Sequence, residues 1–285
     1  MGRAELIASD SESGQWQDKL ARLRDWLRRH PRVLVAVSGG IDSTFLWKVA
    51  TEELADDALG VTAVSPSLAS WEQEALADLV REVGGRHRTV RTGELDDPRY
   101  AANPANRCYF CKDTLWITLR VLAEQEGFRW ILDGYNLDDV GDYRPGQQAG
   151  ETHRVLSPLK LNGFRKADIR AAAQALGLSL WAKPAMACLS SRFAYGLAIT
   201  EAGLARVDAA ERWLRERGFA ELRVRVHPGE LARLELPVAE IERFLPYRDA
   251  FVQHLKALGF KYVSLDLSGF KSGSMNALLG VPAAQ

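Results

Sequence analysis

Val33-Leu34-Val35-Ala36-Val37 is a five-residue apolar run that breaks at once into Ser38-Gly39-Gly40. No other stretch of the 285 residues narrows the fold as far. Mostly β-branched and without alternation, the run predicts a strand buried on both faces, as in a parallel sheet. A helix follows from about Ser43 to Leu54. A buried strand that turns through glycines into a helix leaves backbone N–H groups open at the positive end of the helix dipole. The hydroxyls of Ser38, Ser43 and Thr44 add donors, so the turn is a candidate anion site. It is not the Walker pattern, which needs Gly-Lys-Ser/Thr.

Alternation of strands and helices continues along the chain. An apolar stripe at Trp16, Leu20, Leu23 and Leu27 predicts a helix that ends before Pro31. Strands are expected at 59–64, 87–90 and 130–132, with Val155 and Leu156 as a fifth. Helices are expected at 71–83, 113–125 and 165–176. This is the pattern of an α/β doubly wound parallel sheet, assigned to residues 1–185. After Thr200 the texture changes to helix 201–217, strands 222–226 and 231–236 across a Pro228-Gly229 turn, helix 238–258 and strand 262–267. Residues 186–285 therefore read as a smaller α+β domain for substrate binding and oligomer contacts. Trp16, Trp26 and Trp47 are expected in the core.

Lys+Arg and Asp+Glu both number 37, so the formal charge is zero and a globally basic nucleic-acid binder is disfavoured. No apolar run nears the ~18 residues of a membrane span. The first residues carry no apolar signal region and read as a disordered lead-in. The cysteines are three, Cys108, Cys111 and Cys188. That is too few for a disulfide scaffold, and the odd count fits a reducing, cytoplasmic setting. Cys108 and Cys111 form a CxxC just before the expected 113–125 helix, so both sulfurs could converge on one metal, one cluster or one redox couple.

SGGIDS (38–43), NRCYFCK (106–112), DGYNLDDVGDYRPG (133–146), ACLSSRFAYG (187–196), LRVRVH (222–227) and SGSMN (272–276) together carry a resemblance over almost the whole chain. The chain resembles the LarE group of PP-loop ATP-dependent sulfur transferases, which serve nickel-pincer nucleotide synthesis. The resemblance implies a PP-loop pyrophosphatase fold of the adenine nucleotide α-hydrolase type. It implies ATP cleaved to AMP and pyrophosphate, and a carboxylate of a pyridinium dicarboxylic acid mononucleotide adenylated and converted to a thiocarboxylate. Pyrophosphate would lie at Ser38, Gly39, Gly40, Asp42, Ser43 and Thr44, with Asp42 helping to hold Mg²⁺ and Val64 and Ser65 near the adenine. Single-cysteine members keep only the position of Cys188 and give up its sulfur. The additional Cys108 and Cys111 are similar to members that hold a [4Fe–4S] cluster on three cysteines, with an exchangeable sulfide on the open iron. A homo-oligomer is expected, and the source of sulfide is left open.

Other polar residues have two readings. Lys112 follows the cysteine pair and could neutralise a phosphate or the adenylate, or be a solvated surface lysine. Ser191 and Arg192 combine a hydroxyl with a planar fork suited to phosphate. Arg223 and Arg225, two apart on a strand, share a face that is either simply exposed or holds the mononucleotide phosphate. Asp138, Asp139 and Asp142 crowd one loop, either as turn-formers or, for Asp139, as a group handling metal and substrate. Glu211 and Glu235 match acidic positions of the family and are weak metal candidates. Two rivals share the fold: a tRNA thiolase, disfavoured by zero net charge, and an amide-forming ligase, which has no use for the cysteines.

Overall fold

The structure, a computed structural model, describes residues 15–140, 145–182 and 187–271. Asp142 and the SGSMN string lie outside the described residues. The chain divides into two compact units. The first comprises residues 1–64, 72–92 and 111–186; the second comprises 65–71, 93–110 and 187–285.

The first unit is built on a parallel sheet of β1 (Val33–Ala36), β2 (Ala58–Val64), β3 (Arg86–Arg91) and β4 (Trp130–Leu132), in the order β3-β2-β1-β4. All pairings are parallel, with Val33 opposite both Ala58 and Trp130. The apolar run forms the inner strand β1 because its residues have no polar face to show: Val33, Leu34 and Val35 are wholly buried. Helices Gln15–Arg28, Ile41–Leu54, Ser70–Val83 and Lys166–Ala175 flank this sheet in sequence. Leu23, Leu27, Phe45, Trp47, Phe164 and Ile169 are at the centre of its core, and Trp16 and Trp26 pack against it part-buried. Burial of each such side chain contributes about 1.5–3 kcal/mol. Chain order reverses around β1, because β2 lies on one side and β4 on the other. A crevice for ligands is expected at the carboxyl end of the strands at such a switch point. The expected fifth strand is reduced to one parallel bridge, Leu156 to Leu132.

The second unit carries a three-stranded sheet, β5 (Arg223–His227), β6 (Leu231–Glu235) and β7 (Tyr262–Leu265). β5 and β6 are antiparallel across the Pro228-Gly229 turn, and β7 runs parallel to β6. Helix Glu201–Arg215 is capped by the Thr200 hydroxyl, which accepts from Gly203 N at 3.0 Å. The single helix expected over 238–258 is broken. Pro246 sits in a 3-10 turn, Leu245–Tyr247, between short helix Ile241–Phe244 and helix Arg248–Ala257. A proline lacks the N–H that an unbroken helix needs there. No helix among the described residues is long and apolar enough to cross a membrane.

Candidate functional site

In the first unit, the turn after β1 has the geometry that its sequence implies. Gly39 takes φ +79°, a conformation that side-chain-bearing residues avoid. Gly40 then serves as N-cap of helix Ile41–Leu54 and, having no side chain, supplies no side-chain cap, while its N–H donates to Ser38 Oγ at 3.4 Å. Ser43 Oγ holds the turn by accepting from Ser38 N at 3.1 Å and donating to Gly40 O at 3.2 Å. Ser38 is exposed, Ser43 is buried, and Thr44 is fully buried with a hydroxyl that finds no partner. Asp42 Oδ2 accepts from Asn136 Nδ2 at 3.3 Å, which ties the SGGIDS and DGYN strings together. Gly134 makes this approach possible: a Cβ there would stand 2.6 Å from Ser43 N and 2.9 Å from Ser43 Cα.

Asp139 is buried, and its carboxylate accepts from Asn136 N at 3.2 Å in a capping box. Lys166 Nζ lies 3.5 Å from Asp139 Oδ1. Asp138 instead caps the helix that starts at Lys166, accepting from Lys166 N at 2.8 Å. That bond and the Arg165 guanidinium hold its carboxyl below the ordinary value. Lys112 Nζ lies 5.3 Å from the Trp116 ring centroid and close enough to Asp133 to favour its charge. Burial nevertheless dominates at Asp133 and pushes its pKa up. Val64 ends β2 and Ser65 follows.

In the second unit, Ser65 and Ser67 both donate to Glu94 Oε1, at 2.5 and 2.7 Å, while the buried Oε2 has no hydrogen-bond partner. Cys108 and Cys188 are exposed, and none of the three cysteines is in a disulfide. The CxxC does not precede its helix, as expected, but lies within the first turns of helix Arg107–Glu126. Cys108 and the half-buried Cys111 are three positions apart there, on one face.

Arg107, adjacent to Cys108, is buried and donates to Asn103 Oδ1 and to Ser190 O, both at 2.8 Å. Burial works against its charge. The Cys188 and Cys108 sulfurs and Tyr100 favour it more, so its pKa stands above the ordinary arginine value. One guanidinium thus serves both the CxxC string and the Cys188 string.

The loop from Ala187 to Ser191 is held by its main-chain oxygens. Arg192 Nη1 donates to Ala187 O at 2.5 Å and to Cys188 O at 3.0 Å. Arg107 takes Ser190 O, and Arg225 Nη1 takes Ser191 O at 3.0 Å. Ser191 Oγ donates to Cys188 O at 2.8 Å.

These arginines are in turn fixed by buried carboxylates. Arg192 meets Glu211 fork to fork at 2.8 and 2.9 Å, both side chains fully buried. Glu211 Oε1 also accepts from Val224 N at 3.0 Å. Arg225 pairs with Glu235 at 2.9 Å, and Arg233 reaches the other Glu235 oxygen at 3.0 Å. The arginine forks occupy the oxygens that a metal would use. Arg223 and Arg225 are each 5% exposed, so the face they share is not a simple solvated one.

Arg223 differs from its neighbours. It donates to Leu222 O at 2.7 Å and lies 5.0 Å from the Phe270 ring centroid, with no ion pair to a carboxylate among the described residues. Burial and the repulsion of Arg192 push its pKa down to about 10. A buried guanidinium in that state gains from any anion that reaches it.

Among the described residues, no three His, Cys, Asp or Glu side chains converge as ligands of one metal ion. Arg107, Asn136 and Glu94 were not singled out by sequence reasoning. The first two stand inside quoted motifs, beside a cysteine and in DGYN; nothing in the sequence marks Glu94.

Scanned against models of known families, the chain matches none. Among curated proteins it is 40% identical over 262 residues to pyridinium-3,5-bisthiocarboxylic acid mononucleotide synthase of Lactiplantibacillus plantarum, covering 92% of this chain and 95% of that protein. The chain belongs to the family of this synthase. It is also 44% identical over 265 residues to an uncharacterised protein of Synechocystis, covering 92% and 98% of the two chains. A more distant member-like chain from Methanocaldococcus jannaschii is 26% identical over 257 residues, covering 89% and 98%. The family match spans both units described above.

Proposed function

We propose that this protein is an ATP-dependent sulfur transferase of PP-loop type that converts a carboxylate of a pyridinium dicarboxylate mononucleotide into a thiocarboxylate. The observation that carries the reading is the exposed Cys188 on a loop clamped by arginines, in a chain that aligns nearly end to end with a bisthiocarboxylic acid mononucleotide synthase. The 38–44 turn and Asp42 would hold ATP and Mg²⁺. The fit rests on an uncapped helix N-terminus, on Gly39 and on a carboxylate oriented by Asn136. The substrate carboxylate attacks the α-phosphorus, the Pα–O bond to the β-phosphate breaks, and the β–γ unit leaves as pyrophosphate. Sulfide then adds to the acyl carbon of the adenylate, and AMP leaves with the C–O bond electrons, giving the thiocarboxylate. Adenylation is needed because a carboxylate oxygen is otherwise too poor a leaving group at neutral pH.

Arg223 would take the mononucleotide phosphate, since among the described residues it has no ion pair with a carboxylate and both burial and Arg192 disfavour its charge. Arg192, Arg225 and Arg107 orient the Cys188 loop. Cys108, Cys111 and Cys188 offer soft thiol donors suited to iron, two of them one helical turn apart, and would hold a [4Fe–4S] cluster. When bound, such a cluster supplies an exchangeable sulfide.

The nucleotide products test the reading. With substrate present, chromatography should show AMP and pyrophosphate in equal amounts. ADP as the main product would remove the PP-loop assignment.

A further inference from the structure

The first unit holds a second place where anions are favoured, independent of the function proposed above. A cavity of about 570 Å³ opens at the start of β4, lined by Arg120, Arg129 and Arg154 together with His153 and Trp130. Small-molecule sites commonly have this size. In the pairing of β4 with β1, Trp130 lies beside Val33, at the amino end of the sheet. Ser38 is five residues further along, about 16 Å at ~3.3 Å per strand residue. The cavity and the 38–44 turn are therefore at opposite ends of β1, and one small ligand cannot fill both.

The charge at the cavity is unbalanced. No carboxylate among the described residues lines it. Arg120 donates through Nη2 to His153 O, and Arg129 lies 4.9 Å from the Trp130 ring centroid. Neither of these, nor Arg154, has an ion pair with a carboxylate among the described residues. Several arginines elsewhere on the protein do: Arg24 with Glu52, Arg88 with Glu126, Arg165 with Asp138, Arg243 with Glu240. Asp113 is engaged by His153 Nε2, from the lining, at 2.7 Å. Because Lys+Arg and Asp+Glu are equal over the chain, three guanidiniums at one cavity without a carboxylate are a local segregation of charge. Arg154 also sits at φ +54°, where glycine would be unstrained. The chain nevertheless carries a guanidinium there.

We propose that this cavity binds a small, multiply charged oxyanion, bearing phosphate or several carboxylates, through the forks of Arg120, Arg129 and Arg154. Planar guanidiniums suit both kinds of oxygen cluster, and their charges add when the anion has more than one.

Crystals of the full chain soaked in tungstate, a tetrahedral dianion visible by anomalous scattering, locate the site. A peak against the three arginines is expected; a peak only at the 38–44 turn, or none, overturns the proposal. Titration calorimetry with inorganic phosphate and with citrate then reads the class of ligand. Arg129 and Arg154 are exposed and hold no other element, so the R129Q/R154Q protein should fold normally, which its thermal melt checks. Whichever anion binds the native protein should bind this variant at least tenfold more weakly. A tungstate peak with unchanged affinities for both anions in the variant would mean an adventitious ion only, and the proposal would fail.

Discussion

Arg223 and Arg225 are two residues apart on one strand and equally buried, yet they are not equivalent. Arg225 answers Glu235 and holds Ser191 O; among the described residues Arg223 meets a neighbouring carbonyl and an aromatic ring. Replacing Arg225 by Ala removes a buried guanidinium that Glu235 pairs with and should lower stability by roughly 3 kcal/mol, the lower part of the range for broken buried pairs. Replacing Arg223 by Met keeps the volume and removes a charge that burial disfavours. The melting temperature should hold or rise, while mononucleotide affinity drops by about 1.5–3 kcal/mol, the worth of a charged hydrogen bond. Differential calorimetry and substrate titration separate the two outcomes. Equal losses of stability in both variants would remove Arg223 as the phosphate ligand. The sequence placed both arginines on one face, because strand alternation is legible in residue order. It could not show that the face is covered, or that Glu211 and Glu235 from distant positions meet Arg192 and Arg225, since long-range ion pairs leave no periodic trace.

Among elements, the strand-turn-helix unit at 33–54 was the most legible, because an unbroken apolar run and two glycines have few other meanings. Helix boundaries were less so. The cysteine pair was expected ahead of its helix, but the helix begins at Arg107, just after Pro104 and Asn106. Pro246 was passed over within the 238–258 pattern and breaks it. The approach of the β4 end to the 38–44 turn is a matter of element packing, and Gly134 is its weak point. Gly134→Ala places a Cβ against the Ser43 backbone, which cannot rotate aside. A destabilisation of about 1–3 kcal/mol is expected from overpacking, with weakened ATP binding and intact mononucleotide binding. Native ATP affinity and native melting in this variant would show that the contact does not shape the nucleotide turn.

At the scale of the whole molecule, the family relation runs through both units, but the cysteine chemistry is where members can differ. If one cluster uses all three thiols, Cys108→Ala and Cys111→Ala should cost iron, acid-labile sulfide and sulfur transfer as fully as Cys188→Ala does. Adenylation, if carried out at the 38–44 turn as proposed, should survive in all three, because that turn lies in other residues. Intact mass measured after anaerobic turnover supplies the contrary sign. A loss of about 34 Da at Cys188, the mass of H₂S, with active Cys108 and Cys111 variants, would replace the cluster by a consumed cysteine. The clamp on the 187–191 loop bears on this directly. Every arginine in it grips a peptide oxygen, and none of those bonds depends on the side chain at position 188. The peptide oxygens of the loop therefore stay clamped whatever side chain stands at 188, although the Arg107 guanidinium then loses a sulfur that favours its charge. A spent or substituted protein should keep the melting curve of the native one, so chemical exhaustion at this position would be invisible to any assay of folding.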